Sequence, residues 1–187
     1  MQFSGNYLIF AHREKVWNAL NDTKILQKAI PGCDSIEWQS PSTLDLVIRV
    51  DLGVIKPRFA GELELSNIIA AKSYTLCGHA RGNLLGMARA RANVKLSEYH
   101  LRQKDFEREF LSRDVEFDPD DLMSSGPQAT VLEFKASGGA SKKIMALGSK
   151  LVGKSAQRII NGFMGRFSSA MHTPISPLPK NNVAQET

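Results

Sequence analysis

The sequence predicts an α+β domain in which a curved antiparallel β-sheet wraps around a long C-terminal α-helix, with two short helices after the first strand. Three observations carry this reading. Residues 44–96 contain successive segments that alternate apolar and polar side chains with period two, the mark of strands with one covered and one wet face. Residues 141–171 change to apolar spacings of three and four, the period of an amphipathic helix. The chain is 187 residues long and 42% hydrophobic, enough for one core with some decoration.

Residues 2–11 read as a strand that runs into the polar stretch His12-Arg13-Glu14. Val16, Trp17 and Leu20 keep helical spacing, and Asn21-Asp22-Thr23 ends that helix and caps the next. The second helix carries Ile25, Leu26 and Ile30 and stops at Pro31-Gly32, a pair that cannot continue it. Strands follow at 44–50, 59–65, 74–80 and 88–96. On their inward face Gly61, Gly78, Ala90 and Ala92 are small where a close-packed interior, at a density of about 0.74, favours Val, Ile or Phe. Small inward residues are either met by large ones opposite or leave a cavity. The expected cavity lining is Trp17, Leu46, Ile48, Phe59, Gly61, Leu76, Gly78, Ala90, Ala92, Leu147, Leu151 and Phe163.

Residues 98–128 break the rhythm with mixed charges and read as a surface insertion, with a helical stretch at 101–111, before a last strand at 130–136. The helix that follows has an apolar stripe of Ile144, Leu147, Leu151, Ala156, Ile159, Phe163, Phe167 and Met171. From Thr173 on, Pro174, Pro177 and Pro179 mark a disordered tail over 173–187, leaving 1–172 as one domain. This element order is that of the helix-grip fold, whose usual ligand site is the space between sheet and helix.

Charge adds a second theme. The net charge is +5, the pI about 9.3 and the mean hydropathy −0.22. No acidic residue occurs between Glu133 and Glu186, while Lys143, Lys150, Lys154 and Arg158 form a stripe along the helix. So one-sided a segment predicts an anionic partner, a membrane surface or an acidic protein, with Met164 and Phe167 adding apolar contact near the helix end. Basic and aromatic residues are not interleaved as in RNA-binding sheets, so nucleic acid is not expected. No apolar run reaches the roughly 18 residues that cross a bilayer. The N-terminus lacks the basic-then-apolar order of a signal peptide. The expected location is cytoplasmic, peripheral at most to the inner face of the membrane.

Signals for catalysis are absent from the sequence. Cys33 and Cys77 lie far apart without partners at metal-ligand spacing, which predicts reduced thiols and no metal site. His12, His79, His100 and His172 are scattered, His79 on the wet face of its strand. No nucleophile elbow, metalloprotease helix, phosphate loop or dinucleotide fingerprint occurs. The predicted inner face carries almost no titratable groups, so no catalytic residue and no covalently bound cofactor is assigned.

Several words in the chain match a known family. They are Phe3-Ser4-Gly5, then Glu14-Lys15-Val16-Trp17-Asn18-Ala19-Leu20-Asn21-Asp22, Ile30-Pro31-Gly32-Cys33, Phe59-Ala60-Gly61, the Gly78, Gly82 and Gly86 series, and Leu147-Gly148-Ser149-Lys150-Leu151. Over residues 1–97 and 128–170 the chain resembles the carbon monoxide dehydrogenase G-subunit family, within the START-like (SRPBCC) helix-grip superfamily. The 98–128 insertion departs from the family, where this connection is a short turn, and the expected Gly-Gly is displaced to Gly138-Gly139. The resemblance implies a non-catalytic accessory protein that binds a lipid or quinone. It also implies a role in recruiting or assembling a molybdenum hydroxylase of the carbon monoxide dehydrogenase type at the membrane. Two alternatives remain open at this point: a polyketide cyclase/dehydratase-like enzyme using the same cavity, and an assembly factor with a filled core.

Overall fold

The computed structural model describes residues 1–53, 55–83, 85–101 and 129–178. The elements run β1 (Gln2–Ile9), α1 (Arg13–Asn21), α2 (Thr23–Ala29), β2 (Cys33–Ser40), β3 (Thr43–Arg49), β4 (Arg58–Ile69), β5 (Ser73–Gly82), β6 (Gly86–Tyr99), β7 (Ala129–Ala140), α3 (Lys142–Met145), α4 (Ser149–Met171) and β8 (Ile175–Pro177). One antiparallel sheet has the order β2-β3-β4-β5-β6-β7-β1-β8. The predicted α+β helix-grip architecture is present, and α4 packs in the concavity of the sheet.

The two short helices form where the sequence placed them. The Asp22 carboxylate accepts from the Lys24 and Ile25 amides and so caps α2. The turn after α2 depends on Gly32, whose φ is +75°, a conformation side chains disfavour. The Gly32 carbonyl accepts from the Arg49 amide at 2.9 Å, and an added Cβ would collide with the Arg49 carbonyl. This ties the α2–β2 turn to the end of β3.

Strand β2 escaped the sequence reading. Register shifts between Cys33 and Ser35 and between Trp38 and Ser40 break its period-two pattern, and Ile36 is its one fully buried apolar residue. Two further corrections concern the C-terminal segment. The predicted continuous helix is interrupted at Gly148, whose φ of +107° and ψ of 121° are not helical. The predicted apolar stripe therefore fails around the break but holds in the second half of α4, where Phe167 and Met171 are buried. Its buried residues are Val152, Ser155, Met164, Phe167 and Met171, whereas Leu147 and Leu151 are only half-buried. Residues 175–177, assigned above to a disordered tail, instead form β8 and pair with Tyr7–Ile9 of β1. A proline at a sheet edge costs no ladder hydrogen bond, which is how this strand accommodates Pro177. The rest of the tail assignment and the insertion, including its helix at 101–111, fall on residues 179–187 and 102–128, outside the described residues.

The core has a waist. One cluster joins α1, β7 and the second half of α4 through Val16, Leu20, Leu132, Phe134, Met164 and Phe167. A second joins α2 to the first strands through Leu26, Ile36, Leu44, Leu65 and Tyr74. A third, at the opposite end of the sheet, holds Ile48, Phe59, Ile144 and Val152.

Candidate functional site

The small residues do not all open space, and the reason lies in their neighbours. A Cβ on Gly78 would come within 2.8 Å of Leu63 Cδ2, and one on Gly82 within 2.6 Å of Phe59 Cε1. The large side chains of β4 thus lean across β5 and occupy the room that its glycines vacate. At Gly61 the two strands approach so closely that a Cβ would collide with the His79 carbonyl and with Ala80. Gly78 and Phe59 are therefore part of the packing, and Gly61 borders only an open recess with Glu62 and His79, not the apolar cavity.

A cavity of about 290 Å³ does exist, one step along the strands and beneath α4. Its sheet wall includes Leu44, Leu63, Leu65, Leu76, Ala92 and Val94, with Leu132, Phe134 and Ala136 from β7. Its roof is Ile159, Ile160, Phe163 and Met164 of α4, and Leu26 and Ile30 close the α2 side. The volume sits near the lower end of small-molecule pockets, roughly 300 Å³. Of the predicted lining, Leu76, Ala92 and Phe163 face this space. Trp17 stands just behind it, edge-on to Tyr74 with ring centroids 5.6 Å apart. Leu46, Ile48 and Phe59 belong to neighbouring clusters, Ala90 is exposed, and Leu147 and Leu151 lie beyond the helix break. Leu44, Leu63, Leu65 and Val94 also line the cavity, outside the expected set, although they share strand parity with Leu46, Gly61 and Ala92.

Among the described residues, Tyr74 is the one titratable group in the lining. Burial pushes its phenol up to about 12, so it is neutral across the physiological range. Phe163 stacks on the fully buried Phe167 with centroids 5.2 Å apart. A larger recess of about 930 Å³ is bordered by Arg13, Lys72, Lys95, Glu98 and Glu133, so it offers charge and hydration instead of apolar burial. Burial and the adjacent Asp34 carboxylate push the Cys33 thiol up, away from the reactive thiolate. His79 is exposed and paired with Glu62 at 3.1 Å on the outer face. Among the described residues, no group of three His, Cys, Asp or Glu side chains is arranged to hold a metal ion, and no helix is long and apolar enough to cross a membrane.

The basic residues separate into two settings. Lys143 lies on α3, while Lys150, Lys154 and Arg158 recur every four residues along α4, and all four are exposed. Arg158 also borders a recess with Arg49, Lys56 and Arg166. Met164 and Phe167, which the sequence reading offered to a membrane surface, are 9% and 0% exposed and cannot serve there.

Comparison with solved structures supports the architecture. A conserved protein from Geobacillus kaustophilus superposes with a TM-score of 0.67 at 19% identity, covering 92% of this chain and 99% of its own. A protein from Thermus thermophilus gives 0.56 at 14% identity, covering 92% and 97%. The ZhuI aromatase/cyclase of a Streptomyces species gives 0.54 at 9% identity, covering 92% and 93%. At these identities the likeness is one of fold. No functionally curated protein matches the chain. The sequence profile of the carbon monoxide dehydrogenase G-subunit (CoxG) matches residues 5–101, which span the first strand, both short helices and the sheet through β6. With over half of its length matched, the chain belongs to the carbon monoxide dehydrogenase G-subunit family, CoxG.

Proposed function

We propose that the protein is a non-catalytic carrier that holds a lipid or quinone in the cavity beneath α4 and serves a molybdenum hydroxylase of the carbon monoxide dehydrogenase type at the membrane. The observation that carries the carrier reading is the cavity lining, apolar throughout except for a Tyr74 phenol too weakly acidic to act as a base near neutral pH. A cyclase or dehydratase in the same fold needs converging titratable groups to move protons. The family supports the accessory role and the choice of partner.

Placement at a membrane is supported by an energetic oddity. The first turn of α4 has no acidic residue and no side-chain cap, yet Lys150 stands in this positive end of the helix dipole. Such placement costs about 0.3–1 kcal/mol per charge, whereas each basic residue near anionic lipid contributes roughly 1 kcal/mol. The test is mass spectrometry of organic extracts from the purified protein. A co-purifying apolar molecule near one equivalent is expected. An empty extract, together with failure to take up a neutral dye such as Nile red, would refute the carrier reading.

A further inference from the structure

A second recess, of about 350 Å³, lies between α4 and the Pro31-Gly32 turn. Its rim carries Arg49, Lys56, Arg158 and Arg166 against one carboxylate, Asp51. Arg49 is held by Asp34 at 2.9 Å, and Lys56 lies 3.7 Å from Asp51. Arg158 lies close enough to Asp51 to act on its carboxyl, but neither Arg158 nor Arg166 forms an ion pair within 4.0 Å among the described residues. They stand eight residues apart, about 12 Å along one side of the helix. Between them is Gly162, where an added Cβ would come within 2.9 Å of Pro31 Cγ, so the turn seats directly on the helix and leaves the guanidinium groups on either side of it.

An independent observation marks the recess as a ligand site. Ser155 lines it, is only 2% exposed, and its hydroxyl has no hydrogen-bond partner among the described residues. A helical serine ordinarily returns its proton to a carbonyl one turn back, and an unmet buried hydroxyl is costly. On the rim itself the Asp51 carboxyl is drawn below its usual range by the Gly53 amide first, then by Lys56 and Arg158. Finally, Ile159 belongs to the walls of both this recess and the apolar cavity, so the two spaces are neighbours across one side chain.

We propose that this recess binds the phosphate head of a lipid whose apolar part lies in the cavity behind Ile159. The inference rests on the carrier reading and narrows its ligand to a phosphate-bearing amphiphile. Phosphate supplies several strong acceptor oxygens, matching two forked guanidinium groups and one serine hydroxyl, and its charge offsets the surplus of cations on the rim. A neutral head of the same size leaves both arginines and Ser155 unmet.

The experiment uses the full chain, freed of lipid, with Nile red as the cavity probe. Oleoyl lysophosphatidate and monooleoylglycerol share a tail and differ in the phosphate. Lysophosphatidate should displace the dye at a concentration about 10-fold lower, the size of one charge-assisted hydrogen bond. In an Arg158→Gln/Arg166→Gln variant that advantage should shrink to within about 2-fold, and Ser155→Ala should lose part of it, with monooleoylglycerol displacement unchanged in both. Equal displacement by the two lipids in the parent protein would overturn the phosphate site while leaving the carrier reading intact. No dye binding in the parent would overturn the carrier reading and the amphiphile with it. Calorimetry with inorganic phosphate separates the sources. Tight, arginine-dependent binding of free phosphate without any lysophosphatidate advantage would assign the recess to a free anion and overturn the lipid proposal.

Discussion

Ala92 offers the sharpest test of where a ligand sits. It lies on β6 between Leu76 of β5 and Ala136 of β7, and all three line the cavity beneath α4. In Ala92→Phe the new ring projects into the 290 Å³ space, displacing ligand instead of protein atoms. If it excludes three methylenes of a bound chain, at about 0.8 kcal/mol each, the loss is about 2.4 kcal/mol, or about 50-fold in affinity. The stability cost should stay below about 1 kcal/mol, because overpacking is expensive only where no void exists. That corresponds to at most about 4 °C in melting temperature for a chain of this size. Nile red titration and a thermal melt read the two quantities on one sample. Ala90→Phe, at the exposed end of the same strand, serves as a control and should change affinity less than about 3-fold. Retention of parental affinity by Ala92→Phe would refute the cavity as the ligand site. A fall in melting temperature beyond about 8 °C would show that the space is closed in solution.

Other expectations concern the frame around that space. Phe167→Ala removes a fully buried ring stacked on Phe163 and should cost about 3–5 kcal/mol, read as a shift in urea midpoint; a cost under about 1 kcal/mol would contradict the packing. Gly61→Val drives a side chain into the backbone of β5 and should destabilise by about 3 kcal/mol, whereas Gly78→Ala meets only the mobile end of Leu63 and should cost about 1 kcal/mol. Equal costs at the two positions would contradict the strand geometry. A hydrogen bond from Arg49, then the charges of Arg49 and Arg58, hold the Asp34 carboxyl below its usual range. Because the folded value is the lower one, its stabilising contribution is complete above about pH 4 and fades as acid titrates through the folded value. The stability gap between the parent and Asp34→Asn should therefore close on acidification, and a gap that widened would reverse the sign. Changing Lys143, Lys150 and Lys154 together to Gln should weaken binding to anionic vesicles by about 1 kcal/mol per residue, with salt weakening the parent's binding in the same direction. Equal binding of the parent to neutral vesicles at high salt would remove electrostatics from the argument.

The sequence alone was enough for the class of most elements, because period two, period three-and-four and the Pro31-Gly32 stop are local properties of the chain. It also sufficed for the family, through words such as Ile30-Pro31-Gly32-Cys33 that occur as contiguous residues. Strand β2 was not legible, since two register shifts erase its alternation. The inward placement of Leu147 and Leu151 failed because the positive φ of Gly148 breaks the helix between them. The position of the cavity was decided by tertiary structure alone. Inward direction follows from strand parity, but whether a glycine leaves a void depends on the neighbouring strand, and Leu63 and Phe59 fill the places over Gly78 and Gly82. The basic recess is likewise a product of folding. Arg49, Lys56, Arg158 and Arg166 come from segments about a hundred residues apart, and only the seating of the Pro31 turn on Gly162 gathers their charges around the unmet hydroxyl of Ser155.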